Sequence, residues 1–192
     1  IMNYTAILIS LCFICIPTTG LTSPDAQKFL LKPQVVIAAQ LQGGQEREFK
    51  LPKLEYKNGF LIVDQDGIDL IIEATSRDGS KLRWDSPGAE YGIEIAEIPS
   101  NSSFKILTKH HQAKPGHYKL RWEPAAEKKI VQQRAYKLAS LAGTHYAKRT
   151  KDDYEKAGLY YLNSIPFWHQ FDPVFLPYSH YQAATAHRLI HN

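Results

Sequence analysis

The amino-acid sequence reads as a mainly β protein: a jelly-roll-like sandwich of antiparallel strands, followed by an α-helical segment resembling the start of a helical repeat array. Short apolar runs with period-2 alternation fill residues 35–123. They give about eight strands, with turn signals every 8–12 residues or so and no helical segment between them. From residue 124 onward the apolar period changes to that of a helix.

The centre of the β region is residues 60–86. Two apolar runs, 60–63 and 68–74, flank Asp64-Gln65-Asp66-Gly67, and Arg77-Asp78-Gly79-Ser80 then leads into Lys81 and Trp84. Asp-Gly between β-branched runs predicts a hairpin at both places, because Gly accepts a positive φ without a Cβ clash.

Before this stretch, residues 23–32 read as a polar lead-in and residues 35–41 as an edge strand. Gly43-Gly44 reads as a turn and residues 48–51 as a short strand. After it, residues 93–98 carry Ile93 and Ile95 on one face, and Pro99 ends the run. Phe104, Ile106 and Thr108 alternate with Lys105, Leu107 and Lys109. Tyr118, Leu120 and Trp122 alternate with Lys119, Arg121 and Glu123. One set in each run belongs to the core and the other to water.

Pro124 reads as the first position of a helix running to about residue 149, with a stripe of Val131, Ala135, Leu138, Ala142 and Tyr146. A second helix begins near Asp152 and is ended or kinked by Pro166. Asp172-Pro173 is the N-cap and N1 of a third. The aromatic residues Tyr160, Tyr161, Phe167, Trp168, Phe171, Phe175, Tyr178 and Tyr181 read as interhelical core. The predicted division is therefore a signal peptide over 1–22, a β-sandwich over 34–123 and a helical segment over 124–192.

Residues 4–17 form an uncharged apolar run ahead of Thr18-Thr19-Gly20, the pattern of a secretory leader. Export to the periplasm or medium of a bacterium is expected, with membrane contact only through an uncleaved leader. Both cysteines, Cys12 and Cys15, lie in that run. Cleavage leaves no thiol, hence no disulfide, thiol nucleophile or thiolate metal site. The net charge of +4 is too mild to argue for nucleic acid. Seven Lys or Arg over residues 127–151 read as a solvated helix face.

The chemistry-bearing residues form no catalytic constellation. There is no G-x-S-x-G, no Walker loop and no dinucleotide fingerprint. Asp64, Asp66 and Asp69 are the calcium candidates, being hard oxygen ligands grouped around a Gly, but the spacing lacks the acidic twelfth position of an EF-hand loop. The alternative is a turn whose Asp side chains bond their own backbone. His110 and His111 are adjacent, so a strand points them to opposite faces. His187 and His191 are spaced to share one face of a helix, without the Glu of an H-E-x-x-H motif.

The runs L-I-V-D-Q-D-G-I-D-L-I-I-E-A (61–74), D-G-S-K-L-R-W-D-S (78–86) and G-H-Y-K-L (116–120) resemble the N-terminal β module of secreted bacterial proteins with tetratricopeptide repeats and a C-terminal CHAT domain. They are also similar to the pre-peptidase C-terminal type of sandwich. A-Y-K-L-A-S-L-A-G-T (135–144) and Y-E-K-A (154–157) resemble the helices leading into the first repeat. The resemblance spans roughly residues 34–190 and implies the N-terminal part of a longer protein. Its chemistry would belong to a caspase-like His–Cys domain that this sequence does not contain.

The expected function is a non-enzymatic exported binding or scaffolding module that meets a protein partner through its helical surface. The alternatives are the regulatory portion of a CHAT-type cysteine protease and a calcium- or glycan-binding sandwich.

Overall fold

The computed structural model describes residues 29–53, 55, 57–75, 79–88, 90–109, 114–125 and 129–191. The proposed leader, both cysteines, and His110 and His111 lie outside the described residues.

The described strands are β1 (Phe29–Leu30), β2 (Ile37–Leu41), β3 (Glu46–Lys50), β4 (Asn58–Asp66), β5 (Leu70–Thr75), β6 (Lys81–Trp84), β7 (Tyr91–Pro99), β8 (Ser103–Thr108) and β9 (Gly116–Pro124). One sheet has the order β1-β3-β8-β5-β6 and the other β2-β9-β4-β7. All pairings are antiparallel except β1 with β3. The sandwich is thus present, with one parallel edge. That edge lies in the stretch expected to be a polar lead-in, where Phe29 pairs with Phe49.

Among the described strands, only β5 and β6 form a hairpin between consecutive strands. Every other connection crosses from one sheet to the other, which corrects the first expected hairpin. Asp64 and Asp66 do not sit in a turn. They are the exposed positions at the end of β4, opposite Ile93 and Tyr91 on β7. Gly67, at φ 72, then carries the chain across to the other sheet. β5 and β6 do pair as a hairpin, Ile72 with Trp84 and Thr75 with Lys81, and Gly79 has φ 85; Asp78 lies outside the described residues.

The inner faces form one core of Leu61, Val63, Leu70, Ile72, Ala96, Ile98, Phe104, Ile106, Tyr118, Leu120 and Trp122, among others. The alternation expected of β8 and β9 is observed. β4 and β7 differ because they are buried on both faces. Phe60, Ile62 and Ile95 point outward into a second core made with Ala135, Tyr136 and Trp168 of the helices. A strand covered on both sides reads as a continuous apolar run, and residues 60–63 are such a run.

The helices are α1 (Ile130–Tyr146), α2 (Lys151–Phe171) and α3 (Leu176–Ile190), with a 3-10 turn at Pro173–Phe175. α1 lies against β6 and β7, and α2 lies between α1 and α3. Pro124 does not open a helix. It ends β9, paired with Gly59. The buried stripe of α1 is Gln132, Ala135, Tyr136, Ser140, Ala142 and Gly143. Ile130, the first residue of α1, is exposed.

α2 runs through Pro166 without ending. Pro166 is on the exposed side, where the carbonyl it leaves unpaired can meet water. Thr150 caps α2, its Oγ1 accepting from Asp153 N–H at 3.2 Å. Asp172 accepts from Val174 N–H at 3.3 Å, but it and Pro173 cap and open the 3-10 turn, not α3, which begins at Leu176 with Phe175 as its N-cap. Of the aromatics expected to form an interhelical core, Phe167, Trp168, Phe171 and Phe175 cover the outer face of β4 and β7, whereas Tyr181 is exposed.

Candidate functional site

Two places bring chemistry-bearing or apolar residues together: the seam between the helices and β7, and the outer groove between α2 and α3.

The seam begins with β7, the edge strand of its sheet. Glu94 on this strand is fully buried. Its Oε1 accepts from Ser86 N–H (3.0 Å), Ser86 Oγ (2.6 Å) and Gln65 Nε2 (3.4 Å). Gln65 Oε1 in turn accepts from Leu70 N–H. Glu94 Oε2 has no hydrogen-bond partner. Burial, reinforced by the charges of Asp85 and Asp69 and opposed by the Ser86 hydrogen bonds, pushes the carboxyl up to about 8.

Asp85 is also fully buried, but it has two cations. Lys109 Nζ lies 3.2 Å from Oδ1, and Arg149 Nη2 lies 3.4 Å from Oδ2. Lys109 also pairs with Asp69 at 2.6 Å. Burial would lower the Lys109 ammonium, yet Asp85 and Asp69 outweigh it and raise it above the ordinary lysine value. Two carboxylates therefore balance two cations, and Glu94 is a third acid with, among the described residues, no cation of its own. A neutral carboxylic acid is the charge-balanced state of this seam near neutral pH. Its proton belongs on Oε2, because Oε1 already accepts three donors.

The helices are tied to the same strand. Ser140 Oγ accepts from Trp84 Nε1 and from Glu97 N–H, both at 2.9 Å. Tyr178 Oη accepts from Ile93 N–H at 3.1 Å. A side chain at Gly92, which has φ 151, would overlap the Tyr178 ring and hydroxyl. Glu94, Tyr161, Tyr178, Ser86 and Gln182 line a cavity of about 10 Å3 at this seam, and Tyr161 Oη also lacks a partner.

The groove is built on a second stripe of each helix. α2 offers Glu155, Gly158, Leu159 and Leu162. α3 offers His180, Ala183, Ala184, His187 and Ile190. Its volume is about 720 Å3. Leu159 and Leu162 are 55% and 50% exposed, large fractions for leucines on a shared helix face.

The sequence-derived candidates disperse. Asp69 is tied to Lys109, while Asp64 and Asp66 lie on the surface. His187 and His191 have ring centroids 4.9 Å apart, edge to face. Among the described residues, no group of three or more His, Cys, Asp or Glu is placed to hold a metal ion. The basic face of α1 is partly engaged within the chain: Arg134 lies over Phe167, Lys148 pairs with Asp153, and Arg149 with Asp85. Sequence reasoning missed Glu94, Asp85, Lys109 and Arg149. One signal was available, since Glu94 shares strand parity with the core residues Ala96 and Ile98.

These features define a β-sandwich with a helical layer on one sheet. No protein-family model matches the chain, and no curated protein matches it. Solved structures similar in part include the pre-peptidase C-terminal domain of a collagenase from Bacillus anthracis. It is 14% identical, covers 53% of this chain and all of that one, and has a TM-score of 0.36. A second is the capsular polysaccharide assembling protein CapF from Staphylococcus aureus, 11% identical over 52% of this chain and 27% of that one, with a TM-score of 0.35. The sandwich assignment rests on the two sheets and their shared core.

Proposed function

We propose that the chain is a non-enzymatic, exported binding module whose sandwich presents a helical layer, and whose α2–α3 groove receives a helix of a protein partner in the manner of a repeat array. The outward stripe carries this reading. α2 and α3 each bury one face against the rest of the molecule and keep a second apolar face, with Leu159, Leu162 and Ile190 around the small residues Gly158, Ala183 and Ala184. A helix with two apolar faces has the pattern of an interior member of a stack. Small residues along the floor let a further helix approach closely. The apolar run at residues 4–17 supports export.

The probe is a labelled synthetic amphipathic helix, compared with the same composition in scrambled order. The expected result is saturable binding, with NMR shifts confined to Leu159, Leu162, Ala184 and Ile190 and lost in the Leu159→Asp/Leu162→Asp variant. Equal response to the scrambled peptide, or shifts spread over the sandwich, would overturn the reading.

A further inference from the structure

We propose that Glu94 is a proton latch: as a neutral carboxylic acid it lets the helical layer close over β7, and loss of its proton favours opening of that layer.

Glu94 is wholly shielded from water on the edge strand β7, on the side of Ala96 and Ile98, and it also lines the seam cavity with Tyr161, Tyr178 and Gln182. The groups facing it come from every element packed around it. β4 supplies Gln65, the connection after β4 supplies Asp69, and the β6–β7 connection supplies Asp85 and Ser86. Lys109 follows β8, and Arg149 lies in the α1–α2 turn. Both cations are taken up by Asp85, and Lys109 by Asp69 as well. α1 contributes Ala139 and Gly143, with Tyr146 beside Asp85, while α2 contributes Tyr161 and α3 Tyr178 with Gln182. Burial, then nearby acids, raise the Tyr146 phenol to about 12. Burial, with Glu94 next, also raises those of Tyr161 and Tyr178. Among the described residues, no facing group is a free cation able to compensate an ionised Glu94. A buried, uncompensated carboxylate is among the costliest states in a protein interior.

Geometry then says where that cost is relieved. The walls on the helical side are Tyr161, Tyr178 and Gln182. The ties on that side include the apolar contacts of Phe60, Ile62 and Ile95 with Tyr136 and Trp168, the Tyr178 bond to Ile93 N–H, the two bonds on Ser140 Oγ, the Asp85 N–H bond to the Gly143 carbonyl and the Arg149–Asp85 ion pair. The sandwich side is held by strand ladders along β4 and β9 and a large apolar core. Lifting the helices leaves the β4 ladders and the sandwich core intact, whereas opening the sandwich breaks them.

The sign follows from linkage. A carboxyl raised in the closed state and ordinary in the open state makes closure strongest below the ordinary glutamate value of 4.5. Closure weakens as pH rises to the closed-state value near 8 and levels off above it. Within that window the opening equilibrium rises by about tenfold per pH unit.

The test is hydrogen exchange at the Ile93 and Glu97 amides, corrected for intrinsic rate, between pH 5 and pH 9 in the full chain and in Glu94→Gln. The wild type is expected to lose about tenfold protection per pH unit up to pH near 8 and then level off. In Glu94→Gln this dependence is absent, while Val63 in β4 stays protected in both. The same pH dependence in Glu94→Gln, or loss of Val63 protection in step with Ile93, would overturn the latch. Should the variant fail to fold, carboxyl 13C titration of wild-type Glu94 decides: a midpoint in the ordinary glutamate range refutes the proposal, and one well above pH 6 supports it.

Discussion

Trp84 and Ser140 stand 56 residues apart in sequence and are joined by a hydrogen bond of 2.9 Å from the indole N–H to the hydroxyl oxygen. The same oxygen accepts from Glu97 N–H. One small polar residue of α1 thus holds β6 and β7 together with the helix. Ser140→Ala would leave two shielded donors without an acceptor. It is expected to cost about 2 kcal/mol, read by urea unfolding, with a shift in Trp84 fluorescence. A change below roughly 0.5 kcal/mol would show that water replaces the hydroxyl.

Gly92 is required by its neighbour. Its φ of 151 disfavours a side chain, and an added Cβ would meet the Tyr178 ring. Gly92→Ala is expected to destabilise by about 3 kcal/mol through strain and overpacking. In a double-mutant cycle with Tyr178→Ala the two losses should be less than additive, because removing the ring removes the overlap. Strict additivity would assign the whole effect to the backbone.

Lys109 bridges Asp69 and Asp85, with Asp85 wholly buried. Lys109→Met leaves the Asp85 carboxylate with Arg149 alone and should cost about 3 kcal/mol by denaturant unfolding. Lys109→Arg should recover part of that. Full stability in Lys109→Met would mean that Asp85 accepts a proton at no cost.

Asp153 accepts from His145 and Thr150, which hold its carboxyl well below the usual aspartate range. A depressed acid contributes stability that is present above its unfolded value of 3.8 and is lost as pH falls through the folded one. The gap in melting temperature between the wild type and Asp153→Asn should therefore be constant above about pH 4 and close only in stronger acid. A gap that closes between pH 6 and pH 4 would contradict this.

Calcium binding at Asp64, Asp66 and Asp69 would require breaking the 2.6 Å Lys109–Asp69 ion pair. Calorimetric titration with Ca2+ is expected to give no saturable heat, in the wild type as in Asp66→Ala. A saturable heat lost in that variant would restore the calcium reading.

The strands and helices were legible because each is written in a short-range period. Tyr118, Leu120 and Trp122 alternate as a half-buried strand must, and Asp172-Pro173 carries its own cap chemistry. The strand partners were not legible. Asp-Gly looks alike at 66–67 and at 78–79. The first pair ends a strand whose successor lies in the other sheet, and the second closes a hairpin. Nothing within a few residues distinguishes them; the difference lies in which distant strands bury Leu61 and Phe60 on their opposite faces.

The seam was illegible for the same reason. Glu94, Asp85, Lys109 and Arg149 belong to segments up to 64 residues apart, and each alone resembles a surface charge. Local pattern determines strand, helix and turn, because backbone sterics and side-chain period act over a few residues. Only the tertiary packing around β7 decided that one acid would be buried with, among the described residues, no cation of its own. Solvation and charge balance are properties of everything that surrounds a group.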